Sequence, residues 1–198
     1  WTTGLTPMPS LRGWGASAIT SDWWKIWTIG GQGTDLSNND YSDYVEYYDT
    51  LSNTWMRDTL RGGTNEPLPT RRRALTASTY NYDIFTIGGA DASSNYKDTF
   101  EFYDTSKNVW KSSNIAVSPY IYFTNVPAMI TGRQQITSET IDKKIYVIGG
   151  STSTDISGTD IMEILTIPIE SIWMQGLTGA QGTPGYAALT GATGWTGL

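Results

Sequence analysis

Three aspartates, Asp43, Asp98 and Asp160, each stand three residues ahead of a glutamate, Glu46, Glu101 and Glu163. Paired carboxylates are the groups that general acid–base chemistry uses, so this is the first place to look for a reaction. A catalytic pair is normally a single constellation, whereas these return in every copy of a repeat, as residues do that shape turns or bond a neighbouring backbone. The chain has no histidine and no cysteine. That removes the side chain most used for proton transfer, together with thiolate nucleophiles, disulfides and Cys-ligated metals. Polar loops around Asp35, Asp40, Asp91 and Asp155 carry the oxygen ligands that calcium takes, but lack EF-hand or repeat-in-toxin spacing and read as solvated turns. The expectation is a protein with no metal, no cofactor and no catalytic residues. Aromatic side chains suited to stacking on a sugar or a partner protein stand at Trp14, Trp23, Trp24 and Tyr41, while Trp55 and Trp110 read as packing residues.

The elements that must position these residues repeat three times. Ile26-Trp27-Thr28-Ile29, Ile84-Phe85-Thr86-Ile87 and Ile145-Tyr146-Val147-Ile148 are β-branched or aromatic runs, each followed by Gly-Gly, and read as buried strands. An earlier strand leads into each across a turn: Ala16 to Thr20, Ala74 to Tyr80 and Gln135 to Ile141. A third strand alternates around Val45-Tyr47, Phe100-Phe102 and Met162-Ile164, and a short outer strand ends at Trp55, Trp110 and Trp173. Each copy is therefore a four-stranded antiparallel unit that cannot bury its own apolar surface and must stack beside its neighbours. The double glycines supply positive φ or close backbone approach; no GxGxxG or P-loop spacing surrounds them.

The Gly-Gly after an apolar strand, the pairs Tyr48-Asp49 and Tyr103-Asp104, and the tryptophan six residues beyond each of those aspartates resemble the kelch repeat. The resemblance spans residues 1–174 and implies an all-β, kelch-type β-propeller with three visible blades, about 9–55, 67–110 and 127–173. The third copy departs from the pattern, with Leu165-Thr166 in place of Tyr-Asp and Ile167-Pro168-Ile169-Glu170 inserted before Trp173. Trp1, followed by Pro7 and Pro9 as Trp55 is by Pro67 and Pro69, reads as the end of a preceding blade. Since propellers close with about 4–8 blades, the chain reads as a slice of a larger ring. Arg12, Arg72 or its neighbours, and Arg133 recur at similar offsets before each first strand. In kelch propellers loops at that level can face the central depression, so the resemblance makes them candidates to grip carboxylates of a peptide or an acidic sugar. Capping of loops, or pairing with nearby aspartates, is the alternative reading. The candidate ligand-binding set is Arg12, Arg72, Arg133, Trp14 and Trp24.

At 198 residues the chain can bury roughly 70% of its unfolded surface, which suffices for a core without cross-links. A net charge of −6 argues against nucleic acid, and the one basic cluster, Arg71-Arg72-Arg73, does not reverse that. No run approaches the roughly 18 apolar residues of a membrane span, and residues 1–20 lack the pattern of a signal peptide.

From 175 to 198 the composition changes. Glycine occupies 176, 179, 182, 185, 191, 194 and 197, with Ala188 in the remaining slot, a triplet period that resembles collagen and would make a homotrimer. The alternative is the start of a fourth blade, since Pro184 to Thr190 is similar to Pro69 to Thr76. The resulting expectation is a non-catalytic recognition or structural module that binds a protein or glycan through propeller loops. The tail resembles those of viral and bacterial surface proteins, which places the module on an extracellular or virion surface as a fibre or adhesin. The rival readings are a sugar-active kelch enzyme, mutarotase-like through Glu139 and Arg133 or oxidase-like, and an intracellular kelch adaptor.

Overall fold

The computed structural model describes residues 4–33, 41–112, 128–153 and 157–167. The fold is all-β, with no α-helix among the described residues. The first blade begins with a two-residue strand β1 (Arg12–Gly13), and continues through β2 (Ala16–Ile19), β3 (Lys25–Ile29), β4 (Gln32–Gly33), β5 (Val45–Asp49) and β6 (Thr54–Met56). Its four-stranded sheet has the order β2-β3-β5-β6, every pair antiparallel, while β1 pairs β4 at the Gly-Gly end. The second blade repeats it with β7 (Thr76–Tyr80), β8 (Asp83–Ile87), β9 (Phe100–Asp104) and β10 (Val109–Ser112). The third shows β11 (Thr137–Ile141), β12 (Lys144–Ile148) and β13 (Met162–Thr166). Its outer strand, Trp1, Trp173 and the Gly-triplet tail lie outside the described residues.

Alternation assigns each side chain to one of two faces. The leading face of the first blade carries Ala16, Ala18, Trp27, Ile29, Val45 and Tyr47, and packs with Leu75, Ala77, Ile84, Tyr103 and Trp110 from the trailing face of the second. The second interface repeats the plan, Phe85, Ile87, Phe100 and Phe102 meeting Ile136, Ile145, Val147 and Leu165. Aromatic rings fill both: Trp27 meets Tyr103 edge-on at 5.5 Å, and Phe85 stacks on Phe102 at 5.7 Å. The linkers contribute a plug each, Leu68 and Met129, whose amides bond the carbonyls of Asp43 and Asp98. First strands of successive blades lie beside one another.

Two expected first strands start later than the sequence suggests. Ala74 and Gln135 hold φ of 52° and 54°, as does Trp14 at 55°, so the chain turns there and the ladders begin two residues on. This left-handed residue aims a backbone bond at the next blade: the Ala74 N–H donates to Trp14 O and the Gln135 N–H to Ala74 O, both at 2.8 Å. The first hairpin is also wider than the expected Ser21-Asp22 turn, since Ile19 pairs with Ile26 whereas Thr79 pairs with Ile84; two added residues carry Trp23 outward.

The outer strands of the first and second blades end in equivalent surroundings. Trp55 and Trp110 donate their indole N–H groups to Thr6 O and Glu66 O, each at 2.9 Å. Tyr48 and Tyr103 lie against those indoles and donate their hydroxyls to Asn53 and Asn108, both at left-handed φ. One clasp thus fastens each of these two outer strands to the linker entering its blade.

The double glycines hold the blades together at close range. A Cβ on Gly88, at φ 60°, would sit 2.7 Å from Arg133 O and 2.6 Å from Ile136 Cδ1 of the next blade. Gly62 has a similar φ of 78° but open space around it. Gly62→Ala should therefore cost only the left-handed penalty of about 1–2 kcal/mol. Gly88→Ala should add overpacking and cost about 2–5 kcal/mol, read by urea unfolding of the two variants side by side.

Candidate functional site

The recurring arginine and glutamate meet inside each blade. Arg12 Nη1 lies 2.7 Å from Glu46 Oε2, Arg72 Nη2 lies 2.9 Å from Glu101 Oε2, and Arg133 Nη1 pairs with Glu163 Oε1. A hydroxyl two residues before the arginine donates to the same glutamate in two blades: Ser10 to Glu46 at 2.5 Å and Thr70 to Glu101 at 2.7 Å. A threonine of the second strand completes the set, Arg12 donating to Thr28 Oγ1 at 2.6 Å and Arg72 to Thr86 Oγ1 at 2.8 Å. All three guanidiniums are buried. Complete burial pushes the Arg72 guanidinium below its ordinary pKa, and the charge of Glu101 acts in the opposite direction. The candidate binding residues Arg12, Arg72 and Arg133 are thus placed within the blades and bonded to the glutamates, rather than on a loop surface.

The carboxylates do not converge as acid–base pairs. Each glutamate turns inward to its arginine, while Asp43 faces Arg71 at 3.0 Å. Arg71, Arg72 and Arg73, adjacent in sequence, therefore serve three purposes: an exposed guanidinium on the buried Asp43, a fully buried pair and an aromatic contact. Glu139 sits on the leading face of β11, and Arg133 takes Glu163 as its partner instead. Asp91 accepts backbone amides from Ser93 and Asn95 and pairs with Lys97 at 2.6 Å. Partial burial raises its pKa, yet these bonds outweigh that and hold it well below the ordinary carboxylate range. No group of three or more metal-ligating acidic side chains occurs among the described residues.

Two surfaces remain, one at each end of the blades. At the Gly-Gly end Arg73 stacks between Trp14, 4.7 Å from the ring centre, and Tyr41, at 5.1 Å, and its Nη1 donates to Gln32. Trp14 keeps 55% of its surface exposed there. At the opposite, hairpin end the turns after β2, β7 and β11 surround an open depression of about 520 Å³. Ile19, Trp23, Tyr80, Asn81, Asp142 and Lys143 line it, and blades one and two are joined there by Ser21 donating to Asn81 O. Trp23 projects with 82% of its surface exposed, at φ 62°. Trp24 is also exposed, and its carbonyl accepts both the amide and the hydroxyl of Thr50. Trp14 and Trp24, both among the candidate ligand-binding residues, therefore stand at opposite ends. Trp23 is the stronger hairpin-end candidate, and its signal in the sequence is the two-residue excess over the second hairpin.

Residues 71–113 match the Kelch motif family. The match covers the second blade, from the arginine run to the end of β10. No curated protein matches the chain. The antiparallel sheets on either side of it repeat the same strand plan, so the all-β fold is consistent with a slice of a kelch-type β-propeller.

The third blade departs from the plan around its arginine. Val147 stands where Thr28 and Thr86 bond their arginines, and Arg133 Nη2 is buried without a hydrogen-bond partner. Val147→Thr should stabilise the fold by about 1 kcal/mol, and Thr86→Val should destabilise it by about 1–3 kcal/mol, both measured by urea unfolding. For Glu163, partial burial raises the pKa, but Arg133 and the Ile130 amide outweigh it and leave a net value below the ordinary 4.5. A lowered folded-state pKa gives stability that is present above the ordinary value and is lost as pH falls through the folded one. Glu163→Gln should therefore flatten the acid limb of the stability–pH curve below about pH 4.5 while lowering stability at neutral pH.

Proposed function

We propose that this protein is a non-catalytic recognition module that binds a protein partner across the hairpin end of its blades. The observation that carries this reading is the depression bounded by the turns of three blades, with Trp23 standing almost free beside it. A rigid frame presenting an exposed indole beside a concave surface is the arrangement that seats an interfacial anchor, because aromatic groups gain most from desolvation. The recurring acidic residues lend no support to an enzymatic reading, since each glutamate is bound to a buried arginine. Kelch similarity supports protein binding in general terms. Glycan binding, display on an extracellular or virion surface, and trimerisation through the tail are finer readings supported by the aromatic surface and the glycine triplets alone.

Selection of a displayed random-peptide library against the purified chain, with a glycan array in parallel, tests the proposal. Peptides should be enriched, and Trp23→Ser should weaken their binding at least ~10-fold while Trp14→Ser leaves it unchanged. Enrichment of peptides indifferent to Trp23, or glycan binding without peptide binding, would overturn it.

A further inference from the structure

At the hairpin end the first and second blades are joined by a backbone bond that the second and third blades lack. Ser21 donates its N–H to Asn81 O at 3.1 Å, and its hydroxyl bonds the same carbonyl at 2.8 Å. Register makes Ser21, Asn81 and Asp142 equivalent, since Ala16, Thr76 and Thr137 hold the same place opposite Ile29, Ile87 and Ile148. The repeat of that bond, from the Asn81 N–H to Asp142 O, is not formed. The cause is the length of the turn. Between the paired residues Ile19 and Ile26 the first hairpin has enough chain to reach its neighbour, whereas the second closes from Tyr80 to Asp83 through Asn81 and Tyr82 alone. At the Gly-Gly end, by contrast, the Trp14–Ala74–Gln135 series is complete. Asn81 lines the depression from one side of the unjoined turns and Asp142 and Lys143 line it from the other, and every residue that lines it is among the described ones. Asn81 and Asp142 hold left-handed φ of 55° and 47°, so each turn fixes the direction of its peptide groups. Thr140, which also lines the depression, has its hydroxyl oxygen buried without a hydrogen-bond partner.

We propose that an extended segment of the protein partner enters between these two turns and supplies the missing bond from its own main chain. One of its residues accepts from the Asn81 N–H and donates to Asp142 O. An amide meets this need because one blade offers a donor and the next an acceptor, and a residue in extended conformation turns its N–H and C=O to the same side. Main-chain bonding of this kind gives affinity, while the neighbouring side chains select the partner's residues. Those neighbours are Ile19 and Trp23, 50% and 82% exposed, and Asp142 and Lys143 add one charge of each sign, so the lining suits a segment of neutral, apolar residues. The inference rests on the recognition reading, since both place the partner beside Trp23, and it adds how that partner is held.

The probe is the tightest Trp23-dependent peptide from the library selection, synthesised as a series in which one amide at a time becomes an ester. An ester keeps the extended shape and removes the N–H. At least one position should therefore lose about 3–10-fold in affinity, measured by titration calorimetry with the full chain. In the same complex, saturated with the unmodified peptide, the Asn81 amide should exchange at least ~10-fold more slowly than in the free chain, as read by NMR. The Ser21 amide, already bonded to Asn81 O, should change less. Peptides that depend on Trp23 but tolerate every ester, or that leave Asn81 exchange unchanged, would overturn this proposal and leave the recognition reading standing. Peptides indifferent to Trp23, or no peptide binding at all, would overturn both.

Discussion

A four-stranded blade has two faces, and in this chain both are apolar, so each blade depends on a neighbour to keep its second and third strands from water. The second blade shows the satisfied case: Phe85 and Ile87 are buried on one side, Ile84 and Tyr103 on the other. At roughly 1.5–3 kcal/mol for each large apolar side chain moved out of water, these contacts outweigh any single polar interaction in the molecule. The close approach they need explains the double glycines, whose missing Cβ atoms leave room for the next blade's backbone.

The buried Arg–Glu pairs have a different role. Taking two charges out of water costs several kcal/mol per ion, which mutual attraction repays only with good geometry and further hydrogen bonds, so such a pair is weak evidence of net stability. Its value is positional. Each arginine arrives on the linker before its blade and each glutamate lies on the third strand, so the bond sets how the incoming chain crosses the blade. An arginine displaced by one residue would leave both charges buried and unpaired. In two blades the Thr28 and Thr86 hydroxyls accept an arginine N–H that would otherwise be stranded, as one is at Arg133 Nη2, while Ser10 and Thr70 donate to the glutamates. The same locking makes the recurring carboxylates poor candidates for chemistry and moves attention to the ends of the blades, where Trp14 and Trp23 are exposed.

Much of this was legible from the chain alone. The Gly-Gly period located all three central strands, because a buried β-branched or aromatic run before a left-handed turn has few other solutions. The Tyr-Asp and Trp positions located the outer strands of two blades, and their equivalence rests on a clasp whose Asn53 and Asn108 also repeat. Less legible were the starts of the first strands. Ala74 and Gln135 are ordinary strand or loop residues by type, and only the bond to the neighbouring blade holds them at positive φ. Nor does the run Arg71-Arg72-Arg73 distinguish its members. One, itself exposed, rests on the buried carboxylate of Asp43, one is sealed beneath a blade and one stacks on rings from the blade before.

What the sequence by itself determined is the blade: strand order, antiparallel register and the alternation of apolar faces, since these follow from local period and turn chemistry. What only the tertiary structure decided is the assignment of polar residues to burial or to solvent. An arginine before a strand reads the same whether it faces a ligand or a glutamate. The difference lies in which carboxylate the neighbouring strands carry within reach of it, a distance of about 3 Å that spans some 30 residues of chain.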